Sequence, residues 1–263
     1  MSETSLELRI EGPIARLTLT SPSGQNPIGA PLTARLAAAC ETIAGDSNVR
    51  AVLLTAEGKA FSTGWDWAAL AASAEGGSLL DAARGMGMTQ DPFGFLSDLP
   101  RPVICAVNGD ALGAGFELAL ACDIRIAAEG ACFGLPEAGM GILPMAGGIQ
   151  RLARLAGRGK ALHMLLSAEP IDAAEALSAG IVNKVVPAER VMEEAEAIAA
   201  RIAERGPLAV AYAKEAVTRG LDMPLEQALR YETDLTLILQ TTEDRAEGVR
   251  AFLEKRKPEF KGK

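Results

Sequence analysis

Apolar and polar residues alternate at the start of the chain. Leu6, Leu8 and Ile10 interleave with Glu7 and Arg9, Glu11-Gly12-Pro13 interrupts the run, and Arg16 to Thr20 alternates again. A period of two on both sides of a turn predicts a β-hairpin. A stretch rich in Ser, Pro, Gly and Asn (21–30) leads to a predicted helix from Pro31, with Leu32, Leu36, Cys40 and Ile43 on one stripe. Ala51–Thr55 and Val103–Val107 are short apolar runs of the kind that form parallel strands covered on both faces, and Asp123–Ala127 reads as a third strand. Between 68 and 98 no period is firm, and the small residues with Gly76-Gly77 and Gly85 fit a helix between loops, suited to shaping a pocket. Asp172, with Glu175 three residues on, opens a further helix that Gly180 ends, and Ile181–Val186 reads as a short strand. From 188 to 256 the pattern is helical, punctuated by Gly206-Pro207, Gly220 and Pro224. Strands alternating with helices predict an α/β fold with crossover connections: an α/β core over 1–190 and a helical region over 191–263.

Composition narrows the function classes. The 263 residues are 49% apolar and 23% charged, an ordinary globular balance, with a net charge of −8. An acidic surface repels phosphate backbones, and two Trp, two Tyr and seven Phe are too few for a base-stacking platform, so no nucleic-acid partner is expected. No apolar run approaches the length of a membrane span, so no membrane partner is expected either. The opening MSETSLELRI lacks the basic and apolar regions of a secretory leader. Cys40, Cys105, Cys122 and Cys132 form no CxxC pair and sit in apolar company, as buried reduced thiols of a cytoplasmic protein do. His163 is the single histidine, which excludes a multi-histidine metal site; it lies in an apparently helical stretch where a packing or surface role suffices.

Candidate chemistry concentrates in three places. Val107 to Glu117 reads as an apolar strand entering a turn with Gly109, Gly113 and Gly115, followed by a helix. Such glycines let backbone approach a ligand closely, and the helix start offers free N–H groups to negative charge. The spacing resembles a dinucleotide fingerprint, but it falls past residue 100 and away from the first strand, which argues against a nicotinamide cofactor. Glu117 belongs to a helix that is otherwise apolar, so the carboxylate is expected to be buried, at a cost that calls for a purpose. Glu137, in Phe133-Gly-Leu-Pro-Glu137, is a second isolated acid in apolar company, and two such acids suit general acid/base work. In Phe61-Ser-Thr-Gly-Trp-Asp66, Asp66 is placed to cap the next helix, while the backbone N–H groups of the turn are free to meet a ligand oxygen.

Together these stretches resemble the crotonase superfamily, the enoyl-CoA hydratase/isomerase family. The residues that carry the resemblance are GKAFSTGWD (58–66), RPVICAVNGDALGAGFELALACDIRIA (101–127), FGLPEAGMGILPMAGGIQRL (133–152), AAEALSAGIVNKVVP (173–187) and EGVRAFLEKRKPEF (247–260). The resemblance implies a spiral of ββα units with a C-terminal trimerisation region, a homo-hexamer built as a dimer of trimers, and hydration of the C2=C3 bond of a 2-enoyl-CoA. It implies that Glu117 holds and activates the water, that Glu137 exchanges the proton at the α-carbon, and that the N–H groups of Trp65 and Ala114 form an oxyanion hole. Thr63, Asp66 and Gly113, on the same two turns, are implied in binding the CoA thioester, and Phe252 and Lys255 in touching coenzyme A from a neighbouring subunit. No metal or redox cofactor is implied, coenzyme A being part of the substrate. Double-bond isomerisation, and hydration of a branched, cyclic or aromatic acyl-CoA, are the alternatives within the family. One branch binds AU-rich RNA through a lysine-rich helix; the matching helix here carries only Arg35. The sequence departs from the family pattern at Trp65, commonly Ala; at Ala114, commonly Gly; at Met145, often Gly; and at Ser23, often a basic residue.

Overall fold

The computed structural model describes residues 3–74 and 91–263. β1 (Ser5–Glu11) and β2 (Ile14–Thr20) form the expected antiparallel hairpin, with Leu8 opposite Leu17. β2 turns Ala15, Leu17 and Leu19 into the core. α1 (Ala30–Gly45) starts with Pro31 in its first turn and buries Leu32, Leu36, Cys40 and Ile43, the stripe read from the sequence. β3 (Ala51–Ala56) is buried at every position, as its unbroken apolar run requires. There follow β4 (Ala60–Ser62), α2 (Trp67–Ala74), α3 (Gly94–Ser97), β5 (Val103–Val107), β6 (Asp110–Leu112), α4 (Ala114–Leu120), β7 (Ile124–Ala128) and β8 (Cys132–Gly134). A 3-10 turn, Pro136–Met140, leads to α5 (Gly148–Ser167), β9 (Ile171–Asp172), α6 (Ala173–Ser178) and β10 (Lys184–Val186). The chain ends in α7 (Val191–Ala203), α8 (Pro207–Gly220), α9 (Leu225–Gln240) and α10 (Glu243–Leu253).

Two sheets organise the strands. The larger runs β1-β2-β3-β5-β7-β10 and is parallel from β2 onward; the smaller runs β4-β6-β8-β9 and is parallel up to β8. Each turn of the chain therefore lays one long strand in the first sheet and one short strand in the second, then returns through helical or loop segments. That is the ββα spiral the resemblance implies.

The structure departs from the pattern reading in specific ways. The strand expected over 181–186 covers only Lys184–Val186, because the backbone N–H groups of Ile181 and Val182 still bond the carbonyl of Ala176 in the preceding helix. β4, β6, β8 and β9 escape a periodicity reading because two or three residues contain no full alternation. The Asp172 cap is as expected: its Oδ1 accepts from the Glu175 amide at 2.7 Å. Cys40, Cys105 and Cys122 are buried, whereas Cys132 is half-buried at the start of β8. His163 is exposed on α5. Most of the loop-rich stretch expected over 68–98 falls at 75–90, outside the described residues. α7 adds Val191, Ala195 and Ala199 to the main core, while α9 and α10 bury Leu235 and Ala251 apart from it. Among the described residues no helix is long and apolar enough to cross a membrane.

Candidate active site

Every residue of α4, from Ala114 to Leu120, is buried, and Glu117 has no exposed surface. Its carboxylate runs to the start of α5. There Oε1 accepts hydrogen bonds from the amides of Ala146 and Gly148, both at 2.8 Å. Free N–H groups at a helix start are suited to an anion. The approach requires glycine at 148: a Cβ there would stand 2.6 Å from Glu117 Cγ and 2.9 Å from Oε1. Oε2 is buried with no partner among the described residues. Burial raises the Glu117 pKa above the ordinary carboxylate value, against the amides of Gly148, Ala146 and Met145 and the charge of Arg151.

Arg151 braces this loop. Its guanidinium donates to the carbonyl of Ala146 at 3.0 Å, to Asp91 Oδ2 at 2.6 Å and to Ser97 Oγ at 3.3 Å. The amides that hold Glu117 are thus fixed from behind by a charged side chain.

Glu137 stands in the first turn of the 3-10 segment and is 1% exposed. Pro136 before it and Gly141 after it, the latter in the left-handed region at φ 72°, hold this segment to one short turn. Its pKa is raised to about 7, chiefly by burial and further by the nearby Glu117 charge, with its own amide partly offsetting these. Its Oε2 also lacks a partner among the described residues. The other oxygen, Oε1, lies against Gly113, where a Cβ would be 2.7 Å away. Gly113 has φ 50°, in the left-handed region that glycine adopts most readily.

The two glycine turns meet at this point. A Cβ on Gly64 would lie 3.4 Å from the Ala114 nitrogen and 3.5 Å from the Gly113 Cα. Trp65 is bridged to Ile28 through neighbouring groups: Asp66 donates to the Ile28 carbonyl at 2.8 Å and Ile28 to the Gly64 carbonyl at 2.7 Å. Among the described residues, the Trp65 N–H itself has no backbone acceptor. The Ala114 N–H opens α4 and has none either. Ala114 carries its Cβ in helical backbone with no exposed surface, so the residue is compatible with this turn. The Trp65 ring is 2% exposed and stacks on Phe93, with centroids 6.3 Å apart and planes 13° apart.

A family profile described as enoyl-CoA hydratase/isomerase matches residues 9–263. The chain belongs to the enoyl-CoA hydratase/isomerase family. It is 39% identical over 247 residues to the 2,3-dehydroadipyl-CoA hydratase of Escherichia coli, covering 94% of each chain. It is 38% identical over 261 residues to the crotonyl-CoA hydratase of Syntrophomonas wolfei, covering 99% of each. The crystal structure of enoyl-CoA hydratase from Bacillus anthracis superposes with a TM-score of 0.92 at 38% identity, covering 99% of this chain and 100% of that one.

Against this family background, the structure brings Trp65, Gly113, Ala114, Glu117 and Glu137 together. Asp66 serves as the cap expected of it, its Oδ1 accepting from the Ala69 amide at 3.0 Å. Thr63 is exposed beside it, with its N–H donating to the Gln25 carbonyl at 3.0 Å. Phe252, on α10, is 83% exposed and Lys255 follows that helix at φ 55°; no hydrogen bond among the described residues joins either to the site. Met145 is half-buried beside the Glu117 amides. Ser23 makes a hydroxyl contact with Ser21 at 3.1 Å. Sequence reasoning missed the Ala146 and Gly148 amides and the Arg151 brace. Gly147-Gly148 ahead of a helix was the available signal, since a glycine pair at a helix start leaves amides open to a close-packed anion.

Proposed function

We propose that this protein hydrates a 2-enoyl-CoA thioester, with Glu117 as base, Glu137 as acid and the Trp65 and Ala114 N–H groups as oxyanion donors. The observation that carries this reading is the pair of buried carboxylates, each with one oxygen unpartnered, set against the junction of two glycine turns. The thioester carbonyl oxygen would accept from both N–H groups, which are already fixed and need no reorganisation as charge develops. Glu117, anchored through Oε1, presents Oε2 to a water and takes one of its protons as the water oxygen bonds to C3. The C=C electron pair moves toward the thioester, and Glu137, protonated in a good fraction of molecules near neutral pH, delivers its proton to C2. Proton exchange from Glu117 to Glu137 through solvent resets the pair. Water is added, nothing is oxidised, and no metal enters the reaction.

The reading extends to the assembly. Val217, Leu221, Leu225 and Leu229 line an apolar groove between α8 and α9 that is uncovered in the single chain, at 54–73% exposure. A groove of this kind supports packing against other copies, and the family resemblance supports a hexamer in which Phe252 and Lys255 reach a neighbour's coenzyme A. Sedimentation of the purified protein should give a mass six times that of one chain, and Leu221→Glu should lower it; a monomer at micromolar concentration would refute the assembly. The reaction itself is tested by loss of the enoyl-thioester ultraviolet absorbance on mixing with crotonyl-CoA. Loss that Glu117→Gln and Glu137→Gln both suppress supports the reading; an unchanged rate in either variant removes that residue from it.

A further inference from the structure

Among the described residues, five buried side-chain polar atoms lack a hydrogen-bond partner, and three of them belong to the residues of this site. Two of the five are the amide oxygens of Asn26 and Asn108, residues whose nitrogens tie down the loop at 57–60. Two are the free carboxylate oxygens of Glu117 and Glu137, which the hydration reaction uses. The fifth is the indole nitrogen of Trp65, and it differs in kind: an indole N–H only donates, and no step of the reaction calls for it.

The position of the ring is fixed from two sides. Its backbone follows Gly64, which abuts Gly113 and Ala114. Its face lies on Phe93, whose amide donates to Asp91 Oδ1 at 3.3 Å, and Asp91 pairs with the Arg151 that braces Ala146. The indole therefore belongs to the turn that meets Gly113 and Ala114, and it stacks on the segment linked through Asp91 and Arg151 to the loop that holds Glu117. A side chain 98% buried with an idle donor is a polar mark in otherwise apolar company: Trp65, Phe93 and Ala146 are all buried.

We infer that the Trp65 indole N–H is a specificity-determining donor that selects 2-enoyl-CoA substrates carrying a neutral oxygen on the acyl chain, a hydroxyl, ether or carbonyl. This rests on the hydratase reading of the same site. The acceptor is neutral because the donor carries no charge and the site already holds the carboxyls of Glu117 and Glu137, while the Arg151 guanidinium is paired with Asp91 and offers an anionic chain no free cation. A donor left unpaired by a fully apolar chain favours the substrate that satisfies it.

The test compares 5-hydroxyhex-2-enoyl-CoA with hex-2-enoyl-CoA, which differ by one oxygen, and with a six-carbon 2-enoyl-CoA ending in a carboxylate. The hydroxylated chain should have a kcat/KM about three- to tenfold above the apolar one, the range for one neutral hydrogen bond. Trp65→Phe, which keeps the aromatic stack and removes the N–H, should bring that ratio close to one. A second readout needs neither turnover nor the variant's stability. The chain has two Trp, so its two indole N–H resonances are separable, and that of Trp65 should move downfield with saturated 5-hydroxyhexanoyl-CoA and not with hexanoyl-CoA. Equal kcat/KM for the two chains with equal indole shifts overturns the inference while leaving hydration standing. A preference for the carboxylate chain overturns the neutral acceptor. A selective indole shift with no hydration of any chain sustains the donor and refutes the hydratase reading.

Discussion

Glu117 and Glu137 are chemically the same residue, both enclosed, both with one idle oxygen, yet their surroundings hold them differently. Glu117 is moored at the start of a long helix by two amides from another part of the chain, with an arginine bracing those amides from behind. Glu137 sits on a short 3-10 turn and has only its own amide to offset burial, so its pKa rises to about 7. The contrast supports the separate tasks proposed for them. Donors on one oxygen favour the charged form and fix direction, which suits a base that orients water. A carboxyl left in a dry, donor-poor place keeps its proton near neutral pH, which suits an acid.

The largest way to break this contrast is to neutralise each acid in turn. Glu117→Gln and Glu137→Gln should each lower kcat on crotonyl-CoA by about 10²- to 10⁴-fold, the usual contribution of a positioned acid or base. The double variant should fall by much less than the product of the two losses, because the two groups act in one step. A double-variant loss equal to that product would mean that the acids work independently.

A finer break moves the acids without removing them. Gly148→Ala places a methyl 2.6 Å from Glu117 Cγ, so the carboxylate must shift. Displacement of about an ångström costs on the order of 10²-fold in rate. Gly113→Ala crowds Glu137 Oε1 at 2.7 Å and also forces a side chain into φ 50°, so it should lose stability as well as rate. Gly148→Ala should keep its thermal midpoint closer to that of the parent than Gly113→Ala does. The reverse order would show that the close approach at 148, more than the backbone conformation at 113, carries the strain.

These positions also show what a sequence makes visible. The hairpin, α1, β3 and β5 were legible because each has four or more residues of consistent pattern. Glu117 was legible because a charge in a wholly apolar helix stands out, and the structure encloses it as expected. The short strands of the second sheet were not legible, since three residues carry no period. The Ala146 and Gly148 amides were hidden for another reason: a backbone donor has no side-chain signature, and only the glycine pair before α5 hinted at it. The packing of α7 onto the main core was also hidden, because small residues such as Ala195 and Ala199 mark a close-packed face as readily as a plain helix.

The pH dependence of turnover sharpens the comparison further. If Glu137 gives its proton to C2, the hydration rate should fall as pH rises through about 7, by about tenfold per pH unit well above that value. Glu137→Gln should lack this limb in whatever activity remains. A parent profile flat from pH 6 to 9 would remove Glu137 from the acid role.

The smallest effect is on stability, and its sign follows from the same shift. The folded-state pKa of Glu137, about 7, lies above its ordinary value of 4.5, so between these values the folded chain binds the extra proton. Stability from this group is therefore fully present below about pH 4.5 and is lost as pH rises through about 7. A shift of that size corresponds to about 3 kcal/mol. Glu117 is raised in the same direction and adds a slope of the same sign. The measurement is therefore the difference between two curves, unfolding free energy against pH for the parent and for Glu137→Gln. The glutamine cannot ionise, so its curve should lie above that of the parent at pH 8 by roughly this amount, with the gap closing toward pH 5. Parallel curves would mean that Glu137 titrates alike in the folded and unfolded chain, and the asymmetry between the two acids would then rest on geometry alone.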